Sequence, residues 1–97
     1  MIQKTYLKTK DYCKVKFSIE NETADKVAIF GLNNDWTTPV ELNKKKGGSS
    51  FATEVNLPKD SVHEFKYLVN ETEWVNDTTA DSFAPNAYGA TNSVITL

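Results

Sequence analysis

A lone histidine, two nearby aspartates and a few loop aromatics are the side chains of this chain best suited to chemistry. Each implies a different kind. His63 stands close to Asp60 and Ser61, which gathers the residue types of a nucleophilic triad. Neighbours along one strand do not form the serine–histidine–carboxylate relay, however, so His63 reads as structural or solvent-facing. Asp77 and Asp81 are the best carboxylate pair, of the type glycosidases use. A chain of 97 residues has little room to enclose a substrate, and both aspartates read as turn formers. Their spacing lacks the chelating series and central glycine of a calcium loop. One His and one Cys cannot build a zinc site, and no glycine-rich phosphate loop is present. The expectation is a non-enzyme, with no catalytic residue, no metal and no cofactor.

The aromatics Trp36, Trp74 and Tyr88 fall outside any strand alternation, beside Asn, Asp, Thr or Gly. Trp36 closes the stretch Gly31-Leu32-Asn33-Asn34-Asp35-Trp36, directly after the apolar run Val27-Ala28-Ile29-Phe30. An exposed ring there offers a flat apolar face that can stack on a pyranose. Neighbouring amides and a lysine can then bond sugar hydroxyls, which both donate and accept. The plainer reading makes Trp36 and Trp74 partial core plugs at the ends of the fold. The residues alone leave the two readings level.

The elements that must position these side chains are strands. Tyr12 to Ile19 alternates with Cys13, Val15, Phe17 and Ile19 on one face, a period of two. Cys13 fits there as a small buried hydrophobe. Lys26 to Phe30 reads as a central strand. Val40-Glu41-Leu42 is a short strand, and Lys44-Lys45-Lys46 with Gly47-Gly48 a solvated hairpin tip. Phe51 to Leu57 alternates again. Val62 to Val69 places Phe65, Tyr67 and Val69 on one face and Glu64, Lys66 and Leu68 on the other. Asn70-Glu71-Thr72 is a tight turn to Glu73-Trp74-Val75. Asn76 to Asn92 reads as a long loop that Phe83 and Tyr88 would pin, and Ser93 to Leu97 as the last strand. Residues 1–11 form an N-terminal arm or edge strand, and residues 12–97 the domain proper. Some seven short strands and no helix-length amphipathic run imply an all-β fold, an immunoglobulin-like antiparallel β-sandwich.

Composition narrows the partners. Hydrophobic residues make up 39% and charged residues 25%, an ordinary folded balance. A net charge of −2 argues against nucleic acid, whose binding rests on clustered Lys and Arg. No segment is long and apolar enough to span a membrane, and a single Cys allows no internal disulfide. The first residues lack the apolar core of a secretory signal, so the sequons at Asn21, Asn70 and Asn76 read as chance matches and the expected location is cytoplasmic.

Three motifs occur in order: Val27 to Trp36, His63-Glu64-Phe65-Lys66-Tyr67-Leu68-Val69 leading to Trp74, and Pro85-Asn86-Ala87-Tyr88-Gly89-Ala90-Thr91-Asn92-Ser93-Val94. From about Tyr12 to Leu97 the chain resembles the family 48 carbohydrate-binding modules. These include the glycogen-binding domain of AMP-activated protein kinase β subunits and the early-set domains beside the barrels of isoamylases, pullulanases and branching enzymes. The resemblance implies an early-set sandwich that binds α-1,4-glucan, as polysaccharide or oligosaccharide, without catalysis. It implies Trp36 and Trp74 as stacking platforms, Lys66 and Asn92 as partners of sugar hydroxyls, and Tyr88 where the kinase subunits carry a wedging leucine. Three departures stand against it. Ala90 replaces a hydroxyl residue, Asn33 replaces an aromatic, and the turn before Trp74 is one residue longer. Family members that flank barrels often keep the fold without binding glucan, so a structural module docked on a glucan-metabolising enzyme is the alternative reading.

Overall fold

The computed structural model describes residues 1–97. Ten strands follow in chain order: β1 Ile2–Tyr6, β2 Tyr12–Glu20, β3 Val27–Phe30, β4 Val40–Glu41, β5 Asn43–Lys44, β6 Ser50–Pro58, β7 Val62–Val69, β8 Glu73–Val75, β9 Ser82–Pro85 and β10 Thr91–Thr96. The one helical element is a 3-10 turn, Leu32–Asn34. All ladders are antiparallel. One sheet has the order β1-β2-β6-β5, and the other β4-β3-β7-β10-β9 with β8 on the far end of β7. The immunoglobulin-like sandwich expected from the alternation is therefore the fold.

The alternating positions do meet in the middle. Cys13, Val15, Phe17, Phe51 and Leu57 of the first sheet face Val27, Ile29, Phe65, Tyr67, Val69 and Ile95 of the second. Phe17 and Phe65 cross edge to face at 5.2 Å, and Phe65 meets Tyr67 at 5.8 Å. Each buried side chain of this size contributes about 1.5–3 kcal/mol through its removal from water.

The stretch from Asn76 to Asn92 departs from the sequence reading. It is not one long loop, because Ser82–Pro85 pairs with Thr91–Val94 as the hairpin β9–β10. Nor do Phe83 and Tyr88 pin it, since both are exposed. Polar groups hold it instead. Asp77 is buried, and its Oδ2 accepts from the Tyr67 hydroxyl at 2.7 Å while its Oδ1 accepts from the amide and hydroxyl of Thr79. Burial pushes the Asp77 carboxyl up, but the bonds from Thr79, Tyr67 and the Met1 amino group outweigh it and hold it below the usual range. Asp81 takes the Lys4 ammonium at 2.7 Å and the Thr96 amide at 2.8 Å. That pair ties β1 of one sheet to β10 of the other. Both aspartates are thus tertiary anchors as well as turn formers.

Candidate functional site

The outer face of the second sheet follows from register. On β7 the outward residues are Glu64, Lys66 and Leu68, because His63, Phe65, Tyr67 and Val69 point into the core. On β3, Phe30 lies opposite Lys66 and Ala28 opposite Leu68. On β8, Trp74 lies opposite Leu68. On β10, Val94 lies opposite Glu64, which puts Asn92 on the same outer face. A single surface therefore carries Phe30, Glu64, Lys66, Trp74 and Asn92.

Trp74 is 48% exposed. Its indole reaches across β7 and meets the Phe30 ring edge to face, with centroids 5.3 Å apart. The contact gives the half-exposed ring a firm support.

Trp36 reaches the same surface from a loop. The turn after β3 is closed by the Gly31 amide donating to the Asp35 carbonyl at 2.9 Å and the Asp35 amide donating to the Leu32 carbonyl. Gly31, Asn33 and Asn34 all have positive φ, at 105°, 57° and 58°. Glycine and asparagine are the residues that tolerate this backbone best. The Asp35 carboxylate then accepts from the amide and hydroxyl of Thr37 and the amide of Thr38, which hold its pKa below the ordinary range. Trp36, 37% exposed, lies between these two locks. Its six-membered ring lies so close over Gly31 that an added β-carbon would stand 2.6 Å from it. Trp36 lines an open cleft of about 430 Å³ with Gly31, Asn34, Glu64, Asn86 and Asn92.

The polar residues of the surface are already bonded to one another. Lys66 Nζ donates to the Thr91 carbonyl at 2.9 Å, and the Asn76 amide donates to the same oxygen at 3.0 Å. Asn92 is 8% exposed; its Oδ1 accepts from Asn86 at 3.0 Å and its Nδ2 donates to Glu64 at 3.3 Å. Each end keeps a further lone pair or hydrogen. Asn86 also shapes the β9–β10 connection, where its Oδ1 accepts from the amides of Tyr88 and Ala90. Tyr88 stands at the tip, 92% exposed.

Trp36, Lys66, Trp74 and Asn92 thus lie along one side of the sheet, and Tyr88 stands at its rim. Phe30, Glu64 and Asn86 were not singled out from the sequence. Phe30 was hidden in an apolar run, although the period of two counted from Ala28 puts it outward. Glu64 was placed on the face of Lys66 without a role. Asn86 stands in the third motif, where nothing local sets it apart from the other polar residues of that stretch. No three His, Cys, Asp or Glu side chains gather as a metal cluster, and no helix is long and apolar enough to cross a membrane.

Comparison with known proteins adds a family. Residues 13–97 match the family model described as the glycogen recognition site of AMP-activated protein kinase. No curated protein matches the chain in sequence. Solved structures share the fold at low identity. The enterobactin esterase of Shigella flexneri, in the presence of 2,3-dihydroxy-N-benzoylglycine, superposes with a TM-score of 0.80 at 10% identity, over 99% of this chain and 32% of the esterase. The ferric enterobactin esterase of Salmonella typhimurium gives 0.77 at 9% identity, over 99% of this chain and 34% of the esterase. The chain spans about a third of the length of these esterases. Such identity shows the fold alone.

Proposed function

The chain belongs to the family of the glycogen recognition site of AMP-activated protein kinase, and from that premise we propose that it binds α-1,4-glucan, without catalysis, across the outer face of its second sheet. Trp36 and Trp74 are the stacking platforms. Trp36 lines the cleft beside Glu64 while Trp74 lies opposite Leu68, so they sit toward different ends of β7. That separation suits a run of linked sugars better than a single ring. Lys66 and Asn92 lie between them and offer hydroxyl partners with their unused donors and lone pairs. Glu64 adds a carboxylate acceptor beside Trp36. The Tyr88 side chain stands 92% exposed at the rim and closes on the glucan from there.

The observation that carries this reading is the register that sets Trp74, Lys66 and Asn92 on the surface lined by Trp36. A core plug would be buried; Trp36 and Trp74 instead stay 37% and 48% exposed.

Titration with maltoheptaose or β-cyclodextrin, followed by amide and indole NMR signals, tests the proposal. The expected result is a set of shifts at Trp36, Lys66, Trp74, Tyr88 and Asn92. Ala at either tryptophan is expected to abolish glycogen binding with the fold intact. A folded Trp36→Ala/Trp74→Ala double variant that still binds overturns the assignment.

A further inference from the structure

His63 is the one core-facing residue of β7 that bonds the Trp36 loop. It is largely buried, with Ile95 of β10 opposite it, and it also borders the cleft that Trp36 lines. The Asn33 amide donates to His63 Nδ1 at 3.1 Å. An acceptor at Nδ1 leaves the ring proton on Nε2, 2.8 Å from the Ser61 hydroxyl, which in turn donates to the Pro58 carbonyl. Both nitrogens are therefore used, and only the neutral ring fits. A proton on Nδ1 would set two donors against each other at Asn33.

Asn33 is the residue where this matters. It lies inside the positive-φ turn, whose backbone is costly and must be held from outside. The bond from β7 does so at the point from which the chain returns to seat Trp36. We propose that His63 is a positioning residue for the glucan-binding face: its neutral imidazole accepts the Asn33 amide and so holds the turn that seats Trp36, and protonation of the ring releases the turn and weakens glucan binding. This rests on the reading of Trp36 as a stacking platform.

The charged groups on the surrounding elements are few. Asp35 follows the 3-10 turn and is committed to Thr37 and Thr38. Glu64 follows His63 on β7, on the opposite face, and bonds Asn92. Lys59 and Asp60 lie on the β6–β7 turn, where Lys59 donates to the Leu7 carbonyl. β10 brings Ile95 and no charge, and none of these charged groups bonds the ring. Burial then lowers the His63 pKa, in keeping with a ring held neutral.

The test is a pH titration of the intact chain from about pH 7.5 to about pH 4.5, across and below the ordinary histidine range. In the absence of sugar, the Asn33 amide and the Trp36 indole are expected to shift with the same midpoint as the His63 ring. An indole that stays unmoved through the ring's transition overturns the proposal. With maltoheptaose present, affinity is expected to fall about tenfold across that transition, the scale of one hydrogen bond.

His63→Asn, whose Oδ1 takes the place of Nδ1 but does not titrate, is expected to bind within about threefold of the parent at neutral pH and to lose the pH dependence. A profile unchanged in His63→Asn overturns the proposal, because another group would then be titrating. Failure of the two readings is distinguishable. Absence of sugar binding at every pH removes the glucan assignment, while the shared midpoint of His63, Asn33 and Trp36 still decides the positioning role.

Discussion

The indole of Trp36 rests on Gly31, the residue directly after β3, in space that a β-carbon would fill. The residue before it, Phe30, supports the other indole. One dipeptide thus backs both tryptophans. Gly31→Ala adds a β-carbon against the Glu64 carbonyl of β7 and the Trp36 ring, and places a non-glycine residue at φ 105°. The backbone term alone costs about 1–2 kcal/mol. The expected outcome is a lower Tm together with a displaced Trp36 indole signal and an unmoved Trp74 signal.

Phe30→Ala tests the other half of the pair. Phe30 lies on the outer face, so its loss leaves the core intact. The edge-to-face contact with Trp74 is worth about 0.5–1.5 kcal/mol. Glucan affinity is expected to drop and the Trp74 indole to broaden, with the Trp36 signal unchanged. Equal disturbance of both indoles would show that the two rings are not separately supported.

Asn86→Ala removes the acceptor of the Tyr88 and Ala90 amides and the donor to Asn92. At about 1 kcal/mol per net hydrogen bond, the β9–β10 connection loosens. Amide exchange is expected to speed up at Tyr88 and Ala90 and not in β2 or β6. Glucan binding should weaken through Asn92 and Tyr88 together.

Tyr67→Phe keeps the core packing and deletes the hydroxyl that donates to Asp77. A hydrogen bond to a charged group contributes about 1.5–3 kcal/mol. The Asp77 carboxyl is held below its ordinary value, so the unfolded chain binds more protons in the acid range. The stability from this contact is full above the unfolded carboxylate pKa of about 3.9 and fades as pH falls through the lower folded value. Denaturant unfolding at a series of pH values should show a gap between parent and variant that is widest near neutrality and narrows in acid.

The sandwich was legible because its strands alternate. Cys13, Val15 and Phe17, or Phe65, Tyr67 and Val69, declare a buried face without help from any other part of the chain. The long stretch after Trp74 was not legible. Ser82-Phe83-Ala84-Pro85 ends in proline and puts Phe83 half in solvent, so only pairing with β10 makes it a strand. Asp77 read as a turn former because nothing local shows that a tyrosine hydroxyl ten residues earlier ends beside it. The candidate site was legible as residue types. Its common surface was not, because that depends on which strands flank β7. His63 looked inert for the same reason: its partner Asn33 is thirty positions away.

β7 borders three strands, more than any other in the fold: β3 along one edge, and β10 and β8 in succession along the other. Every tryptophan support, and each polar group between them, is β7 itself or a neighbour that must dock on it. The β7–β3 and β7–β10 pairings join residues distant in sequence, and such pairings form slowly. A folding intermediate that has built only the β1-β2-β6-β5 sheet therefore has no recognition surface at all. Sugar added during refolding would meet no complete surface until β7 and its neighbours have seated, and would then act as a brake on unfolding. Ligand of this kind should slow the unfolding limb of a chevron and leave the refolding limb where it was.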